Sequence, residues 1–277
     1  MKTIYPKLFL PALLLALGSA AFAQNNYNQA LSKYSYPIFT ISGDQQRTGT
    51  AFFYQSGDTS FLVSNYHAIK GMNPLNRSIA FITDNLYLKY NVKGTRDTKL
   101  MTIDIGEETA GATDLFSIVD RIDLLKVPVE LPDDADIHFI NELVDEEYFD
   151  KEPEAIVAFG FPVKPGSVPA FYSRQQRLEG NINSNGFIEY DESLRLNFPS
   201  ASDSARAILN ATARYYYFIK PYAAQGYSGA PVFGKFRNEN DEVIWRFTGV
   251  IFAGQPATQQ TWAIKGSVAL QYLLGEL

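Results

Sequence analysis

Residues 49–71 read GTAFFYQSGDTSFLVSNYHAIKG, and this stretch decides the fold class. Two runs rich in aromatic and β-branched residues flank the pair Gly57–Asp58, which is the pattern of paired strands joined by a turn. The second run ends at residues 64–66, and His67 opens the turn that follows. The stretch therefore predicts a strand pair that carries a histidine at its end.

The remainder of the chain is typical of an all-β protein. Strand-like runs such as YPIFTI, LYLKYNV and KLMTIDI precede residue 129, and AIVAFGF, YYYFIK and VIWRFTGVIFAG follow residue 154. Residues 130–154 contain eleven acidic residues and one lysine, which indicates a solvated connector with a short helix around 140–149. The last eleven residues, SVALQYLLGEL, have apolar residues at helical spacing. We predict two β units, 24–129 and 155–277, with the acidic linker 130–154 between them and a terminal helix.

The N-terminal segment and the composition limit the partners. Residues 1–23 have a basic start, an apolar core and a small-residue ending, as in a secretory signal, and predict a secreted or periplasmic protein without a membrane anchor after cleavage. Cleavage would remove two of the 24 basic residues and none of the 30 acidic ones, so the net charge of −6 would become −8. This balance argues against nucleic acid as a partner. The chain has no cysteine, so its stability depends on the core of its 46% hydrophobic residues.

A second stretch, GYSGAPVFG at residues 226–234, sets Ser228 between two glycines, and Pro231 closes the turn. Taken alone, Ser228 is either a nucleophile or the polar residue of a tight turn. A serine hydroxyl needs a base, and the chain has only two histidines, His67 and His138, of which His138 lies in the acidic connector. Both precede Ser228, and Ala230 replaces the last glycine of a G-x-S-x-G elbow, which excludes an α/β-hydrolase. No cysteine and no H-E-x-x-H motif is present, so no metal or other cofactor is expected.

Together the two stretches resemble the trypsin/chymotrypsin-like serine peptidases in their disulfide-free bacterial form. Residues 49–71 look like the strand pair and histidine turn of that family, and GYSGAPVFG resembles its nucleophile loop. RFTGVIFAG at 246–254 resembles the strand that walls the substrate pocket, and AIVAFGFPV at 155–163 is similar to an early strand of the second barrel. The resemblance implies two antiparallel six-stranded β-barrels with the site between them.

The resemblance also implies roles for particular residues. His67 would be the general base, Ser228 the nucleophile, and the backbone N–H groups of Gly226 and Ser228 the oxyanion hole. Two carboxylates compete for the third place in the triad, Asp114 in TDLFSIV and Asp123 in IDLLKVPV. The strand after Asp123 continues into a proline and then the acidic linker, as in the bacterial members, so Asp123 is preferred.

Specificity is expected from four further positions. Tyr222 lies six residues before Ser228, where the family sets the base of its primary pocket. Phe252, Ala253 and Gly254 would form the pocket wall. None of the four carries a charge, so cleavage of protein or peptide substrates is expected after small or apolar residues, with weak preference.

Three functions remain in competition at this point. The first is a secreted serine endopeptidase acting through an acyl-enzyme. The second is a catalytically inactive protease fold that serves as a binding module, and the third is an esterase that uses the same triad.

Overall fold

A computed structural model describes residues 27–42, 45–70, 85–105, 122–163, 174–186, 188–189 and 215–277. The chain divides into two compact units, Met1–Lys33 and Tyr34–Leu277. The described part of the first unit contains a short helix at residues 27–32. The second unit holds both β-sheets and all of the predicted site residues that the structure describes.

The first sheet has six antiparallel strands. They are β1 Tyr36–Ser42, β2 Gln45–Ser56, β3 Thr59–Ser64, β4 Asn85–Asn91, β5 Thr98–Asp104 and β6 Leu125–Val129. Their order in the sheet is β5-β4-β1-β2-β3-β6. The predicted strand pair of residues 49–71 is the β2–β3 hairpin, in which Phe52 pairs with Val63 and Ser56 with Thr59.

The second sheet is a closed barrel. Its strands are β7 Ala155–Gly160, β8 Gln176–Ile182, β9 Tyr216–Lys220, β10 Pro231–Arg237, β11 Val243–Gln255 and β12 Gln260–Lys265. The order is β10-β11-β12-β9-β8-β7, and β7 pairs back with β10. The pairing of β11 with β12 shifts between Ile251 and Ala253, so Phe252 lies in a β-bulge.

Each sheet encloses its own apolar core. In β4 the buried residues alternate with more exposed ones, which is the period of two expected when one face of a sheet is buried. The core of the first sheet includes Ile38, Phe53, Leu62, Leu88 and Val127. The core of the barrel includes Ile156, Ile219, Val232, Ile251 and Ala263. The aromatic and β-branched residues that predicted the strands are therefore the residues that fill the two cores.

The acidic connector and the chain end contain the helical elements. The predicted helix around 140–149 is instead two single 3₁₀ turns, Ile140–Leu143 and Glu146–Tyr148. Clustered acidic residues favour solvent and short turns over a continuous helix that would bury one face. The C-terminal helix, Gly266–Leu274, ends at Gly275, whose φ of 78° reverses the chain. Lys126 Nζ of β6 donates to the Leu273 carbonyl at 2.8 Å, which joins this helix to the first sheet.

The predicted fold class is confirmed: two six-stranded antiparallel sheets with a C-terminal helix, as in the chymotrypsin-like fold. The second sheet closes as a barrel. In the first, β5 and β6 are the two edges of the sheet within the described part of the chain. Most of their connection, residues 106–121, lies outside the described residues. No helix among the described residues is long and apolar enough to cross a membrane.

Candidate active site

The structure brings His67, Asp123 and Ser228 together. His67 Nε2 lies 3.0 Å from Ser228 Oγ, and His67 Nδ1 makes a short hydrogen bond with Asp123 Oδ2. The backbone N–H of His67 donates to the other carboxylate oxygen, Asp123 Oδ1, at 3.0 Å. The Asp123 side chain is 1% exposed and that of His67 is 26% exposed. The carboxylate thus fixes both the ring and the main chain of the histidine, and the ring stays partly open to solvent.

Strand pairing explains how His67 and Asp123 meet. β3 ends at Ser64, which pairs with Leu125, the first residue of β6. His67 lies three residues after Ser64, in the short helix Tyr66–Lys70. Asp123 lies two residues before Leu125. The two residues are 56 positions apart in sequence, yet adjacent strand ends place them in contact.

Asn65 holds these two segments in register. Its side-chain Nδ2 donates to the Asp123 backbone carbonyl at 2.7 Å. The backbone carbonyl of Asn65 accepts from the N–H groups of Ala68 and Ile69, each at 3.2 Å. Asn65 is fully buried. One residue therefore starts the helix that carries His67 and also anchors the backbone of Asp123.

The loop that carries Ser228 depends on two glycines with left-handed backbone conformations. Gly226 has φ of 102° and Gly229 has φ of 86°. A Cβ on Gly226 would lie 2.4 Å from the Phe161 carbonyl oxygen, and one on Gly229 would lie 2.0 Å from the Thr50 carbonyl oxygen. Both positions exclude a side chain by conformation and by space. Glycine at positions 226 and 229 is therefore required by the local structure.

Thr50, in the middle of β2, fastens this loop to the first sheet. Its N–H donates to the Ser228 carbonyl at 2.8 Å, and its hydroxyl donates to the Gly226 carbonyl at 2.7 Å. The same hydroxyl accepts from the Phe161 N–H at 3.2 Å. From the barrel side, the Gly229 N–H donates to the Ile251 carbonyl at 2.8 Å. The loop is held from both sheets, and almost all of these contacts involve its main chain.

The N–H groups of Gly226 and Ser228 were predicted to form the oxyanion hole. Within the described part of the chain, neither of them donates a hydrogen bond, whereas the N–H groups of Tyr227, Gly229 and Ala230 all do. The carbonyls of Gly226 and Ser228 are both bound by Thr50, which fixes the loop backbone. Two donors in a rigid loop beside the Ser228 hydroxyl are the arrangement that an oxyanion requires.

Opposing effects set the protonation of His67. Burial of the ring is the largest and lowers its pKa, but the negative charge of Asp123 and its hydrogen bond to the ring act in the other direction. The positive charge of Arg47 also lowers the pKa of His67. The carboxylate prevails, and the pKa of His67 lies above its ordinary value of 6.5.

A cleft of about 420 Å³ opens beside the three residues. β2 contributes Gln46, Arg47 and Thr48 to its lining, and the short helix contributes His67 and Ala68. The other described lining residues are Gln225, Gly226 and Ser228 of the Ser228 loop. The cleft therefore gives a ligand access to the Ser228 hydroxyl and to the Gly226 backbone.

The four predicted specificity residues lie on the barrel, outside the lining of this cleft. The Tyr222 ring packs against Gly254, where an added Cβ would come within 2.6 Å of the ring. Phe252 is buried and stacks on Tyr216 with a centroid distance of 4.6 Å. Tyr222 and Gly254 thus meet as neighbours, whereas the Phe252 ring belongs to the aromatic packing of the barrel. Their role in binding substrate stays a prediction.

Two sequence-based expectations fall on parts of the chain without a description. Asp114, the competitor for the third catalytic position, lies outside the described residues, as does the signal-like segment 1–23. Thr50 and Asn65 were not predicted. Their partners lie 176 and 58 residues away, and a threonine in a strand or an asparagine at its end carries no local signal for such contacts.

The arrangement supplies the chemistry of an activated serine. A hydroxyl, a histidine base and a buried carboxylate follow one another at hydrogen-bonding contact, with free N–H donors alongside. Among the described residues, no group of three or more His, Cys, Asp or Glu side chains could hold a metal ion.

The chain matches no family model and no curated protein sequence. Its structure is similar to those of several serine proteases. A thermostable serine protease, AL20, from an extremophilic microorganism has a TM-score of 0.48 and 13% identity over 87% of this chain and 94% of that one. The serine endoprotease from Yersinia pestis has a TM-score of 0.46 and 14% identity over 90% of this chain and 65% of that one.

A third solved structure is described as an inactivated protease paralogue from the scabies mite. It has a TM-score of 0.48 and 11% identity, over 88% of this chain and 94% of that one. All three are described as serine proteases or as a protease paralogue.

Proposed function

We propose that the protein is a serine endopeptidase that hydrolyses peptide bonds through Ser228, His67 and Asp123. The observation that carries the proposal is the continuous contact from Asp123 through His67 to Ser228 Oγ, with the free N–H groups of Gly226 and Ser228 beside it. A serine whose only role is in a turn does not require a histidine partner that is held by a buried carboxylate.

The reaction would proceed in two halves. Ser228 Oγ attacks the substrate carbonyl carbon while its proton passes to His67 Nε2, and the N–H groups of Gly226 and Ser228 stabilise the oxyanion. The C–N bond then breaks as His67 returns the proton to the leaving amine. Water attacks the acyl-enzyme with His67 again as base, which releases the acid and restores the Ser228 hydroxyl. Asp123 stays ionised and stabilises the imidazolium.

One experiment distinguishes the endopeptidase from the two other candidate functions, the esterase and the binding module. Purified protein is incubated with casein and with a p-nitrophenyl ester, with Ser228→Ala as the control. An endopeptidase cleaves casein and an esterase cleaves only the ester. A binding module cleaves neither. Cleavage of casein by the Ser228→Ala protein would contradict the proposed mechanism.

We also propose that the protein acts in the periplasm or outside the cell. The support is the signal-like composition of residues 1–23 and the absence of cysteine, since a core without disulfides suits a bacterial export route. Expression of the full chain in a bacterial host, followed by fractionation and N-terminal sequencing, tests this. A mature N-terminus at residue 24 outside the cytoplasm is expected, and an uncleaved cytoplasmic protein would contradict it.

A further inference from the structure

The described lining of the cleft beside Ser228 carries a positive charge. Among the described residues that line it, Arg47 is the one with a permanent charge, and none is a carboxylate. Glutamine side chains, Gln46 and Gln225, accompany the guanidinium. The whole chain has a net charge of −6, so a positive charge at this position is not a consequence of overall composition. A local positive charge at a substrate entrance favours an anionic group on the ligand.

Arg47 also lies close to the reacting groups. Its positive charge affects the protonation of His67, and both residues line the same cleft. A substrate group bound by Arg47 would therefore belong to the part of the chain near the scissile bond. Arg47 interacts with another residue of the protein as well. The guanidinium has five N–H donors and can serve more than one acceptor.

The position of the cleft indicates which side of the substrate it receives. His67 returns its proton to the leaving amine, so the leaving segment lies on the side of Ser228 that faces the histidine. The cleft is bordered by His67 and Ala68 and by the first residues of β2. The residues expected to hold the acyl side, Tyr222 and 252–254, do not line it. The cleft is therefore the site of the segment that departs with the amine.

We propose that Arg47 binds a carboxylate on the leaving segment, so that the enzyme prefers substrates with an acidic residue shortly after the scissile bond. This inference rests on the proposed peptidase function and adds a specificity-determining residue to it. A planar guanidinium recognises a carboxylate through two parallel hydrogen bonds, which a lysine cannot reproduce. Glutamate or aspartate at these positions is the substrate class that the cleft fits.

The experiment begins with a peptide library, in which wild-type cleavage sites are mapped against a Ser228→Ala control. The best-cleaved site is then made as two quenched peptides that differ only in Glu or Gln at the acid-preferring position. The readout is the ratio of kcat/KM for the Glu and Gln peptides. This ratio is internal to each protein, so a general change in activity does not affect it.

The wild-type protein should prefer the Glu peptide by about three- to tenfold, as expected for a partly exposed charge pair with hydrogen bonds. Arg47→Gln should bring the ratio close to one, and Arg47→Lys should leave an intermediate value. Lys93→Gln removes an exposed positive charge outside the cleft lining and should keep the wild-type ratio. Higher salt should reduce the wild-type preference.

The failures of the two proposals are distinguishable. If no library peptide is cleaved, the proposed peptidase function fails, and the role of Arg47 fails with it. If peptides are cleaved but the sites show no acidic enrichment after the scissile bond, or if Arg47→Gln keeps the wild-type ratio, only the inference about Arg47 is overturned.

Discussion

The two halves of the candidate site are held in different ways. In the first sheet, side chains hold His67 and Asp123, through the carboxylate and the buried Asn65 amide. In the barrel, main-chain hydrogen bonds and two left-handed glycines hold the loop of Ser228. The comparison shows that charge and side-chain identity position His67, the proposed base, whereas backbone shape positions Ser228, the proposed nucleophile, and the N–H groups beside it. Substitutions in the two halves should therefore fail for different reasons.

The largest effect is expected where the halves meet. Ser228→Ala or His67→Ala should reduce turnover by about a millionfold, since members of such a triad act as a unit. Neither residue belongs to an apolar core, so the melting temperature should change little. Peptide hydrolysis and thermal unfolding are measured on the same samples. His138→Gln replaces the other histidine and should keep activity; equal losses in His67→Ala and His138→Gln would contradict the account.

The next largest effect tests the half of the site in which side chains hold His67 and Asp123. Asp123→Asn should lower turnover by about four decades, because the amide no longer holds the imidazole in the correct tautomer or stabilises its charged form. The comparison is with Asp114→Asn, which should retain activity. If Asp114→Asn is the inactive protein and Asp123→Asn is not, the assignment of the carboxylate is wrong.

Gly226→Ala tests the half of the site in which the backbone holds the loop of Ser228. The added Cβ would meet the Phe161 carbonyl and force the loop to move, which misplaces an oxyanion donor and should lower turnover by about a hundred- to a thousandfold. Gly57→Ala is the matched control, since Gly57 also has positive φ but has open space around it. The control also places a side chain at positive φ, 56° against 102° for Gly226, and should retain activity. Equal loss in both would show that strain alone, and not loop position, matters.

Thr50 connects the halves and should give a smaller effect. Thr50→Val removes the hydroxyl that binds the Gly226 carbonyl and the Phe161 N–H, both in a buried setting. The expected loss is about tenfold in turnover and about 1–3 kcal/mol in the free energy of unfolding. Thr50→Ser restores the hydroxyl and should recover turnover. Failure of the serine variant to recover it would show that packing of the methyl group, and not the hydrogen bonds, is responsible.

The smallest change is a shift in pH dependence. His67 must be neutral to accept a proton, and its pKa is raised, so kcat/KM should fall in acid with a midpoint above 6.5. In Arg47→Gln the midpoint should rise further, because the positive charge that lowers the pKa is gone. The raised pKa also stabilises the folded state below pH 6.5, and this contribution is lost as the pH rises through the raised value. A midpoint below 6.5 in the wild-type protein would contradict the role of Asp123.

The sequence predicted the parts of the site that have a local signal. His67 follows a recognisable strand pair, and Ser228 lies in a turn whose glycines the backbone requires. Asp123 was chosen over Asp114 from the strand and proline that follow it, and β6 does begin two residues after Asp123. The fold class followed from alternating apolar runs that fill the two cores.

Other features depend on long-range contacts that a single sequence does not encode locally. Thr50 reaches the nucleophile loop only because β2 lies beside it in the folded protein. The Phe252 ring lies at a bulge in β11 and stacks on Tyr216, a contact without a local sequence signal, and its role in the pocket wall stays a prediction. The short helix predicted in the connector became two 3₁₀ turns, because local acidic composition does not fix the type of turn.

The central claim, that Ser228 is an activated nucleophile, is tested most directly by a fluorophosphonate probe. Such a probe reacts with a serine only when a base and an oxyanion site activate it. The wild-type protein should be labelled once, at Ser228 by peptide mapping, and labelling should be lost in Ser228→Ala and nearly lost in His67→Ala. A folded wild-type protein that is not labelled, or is labelled at another serine, would contradict the account.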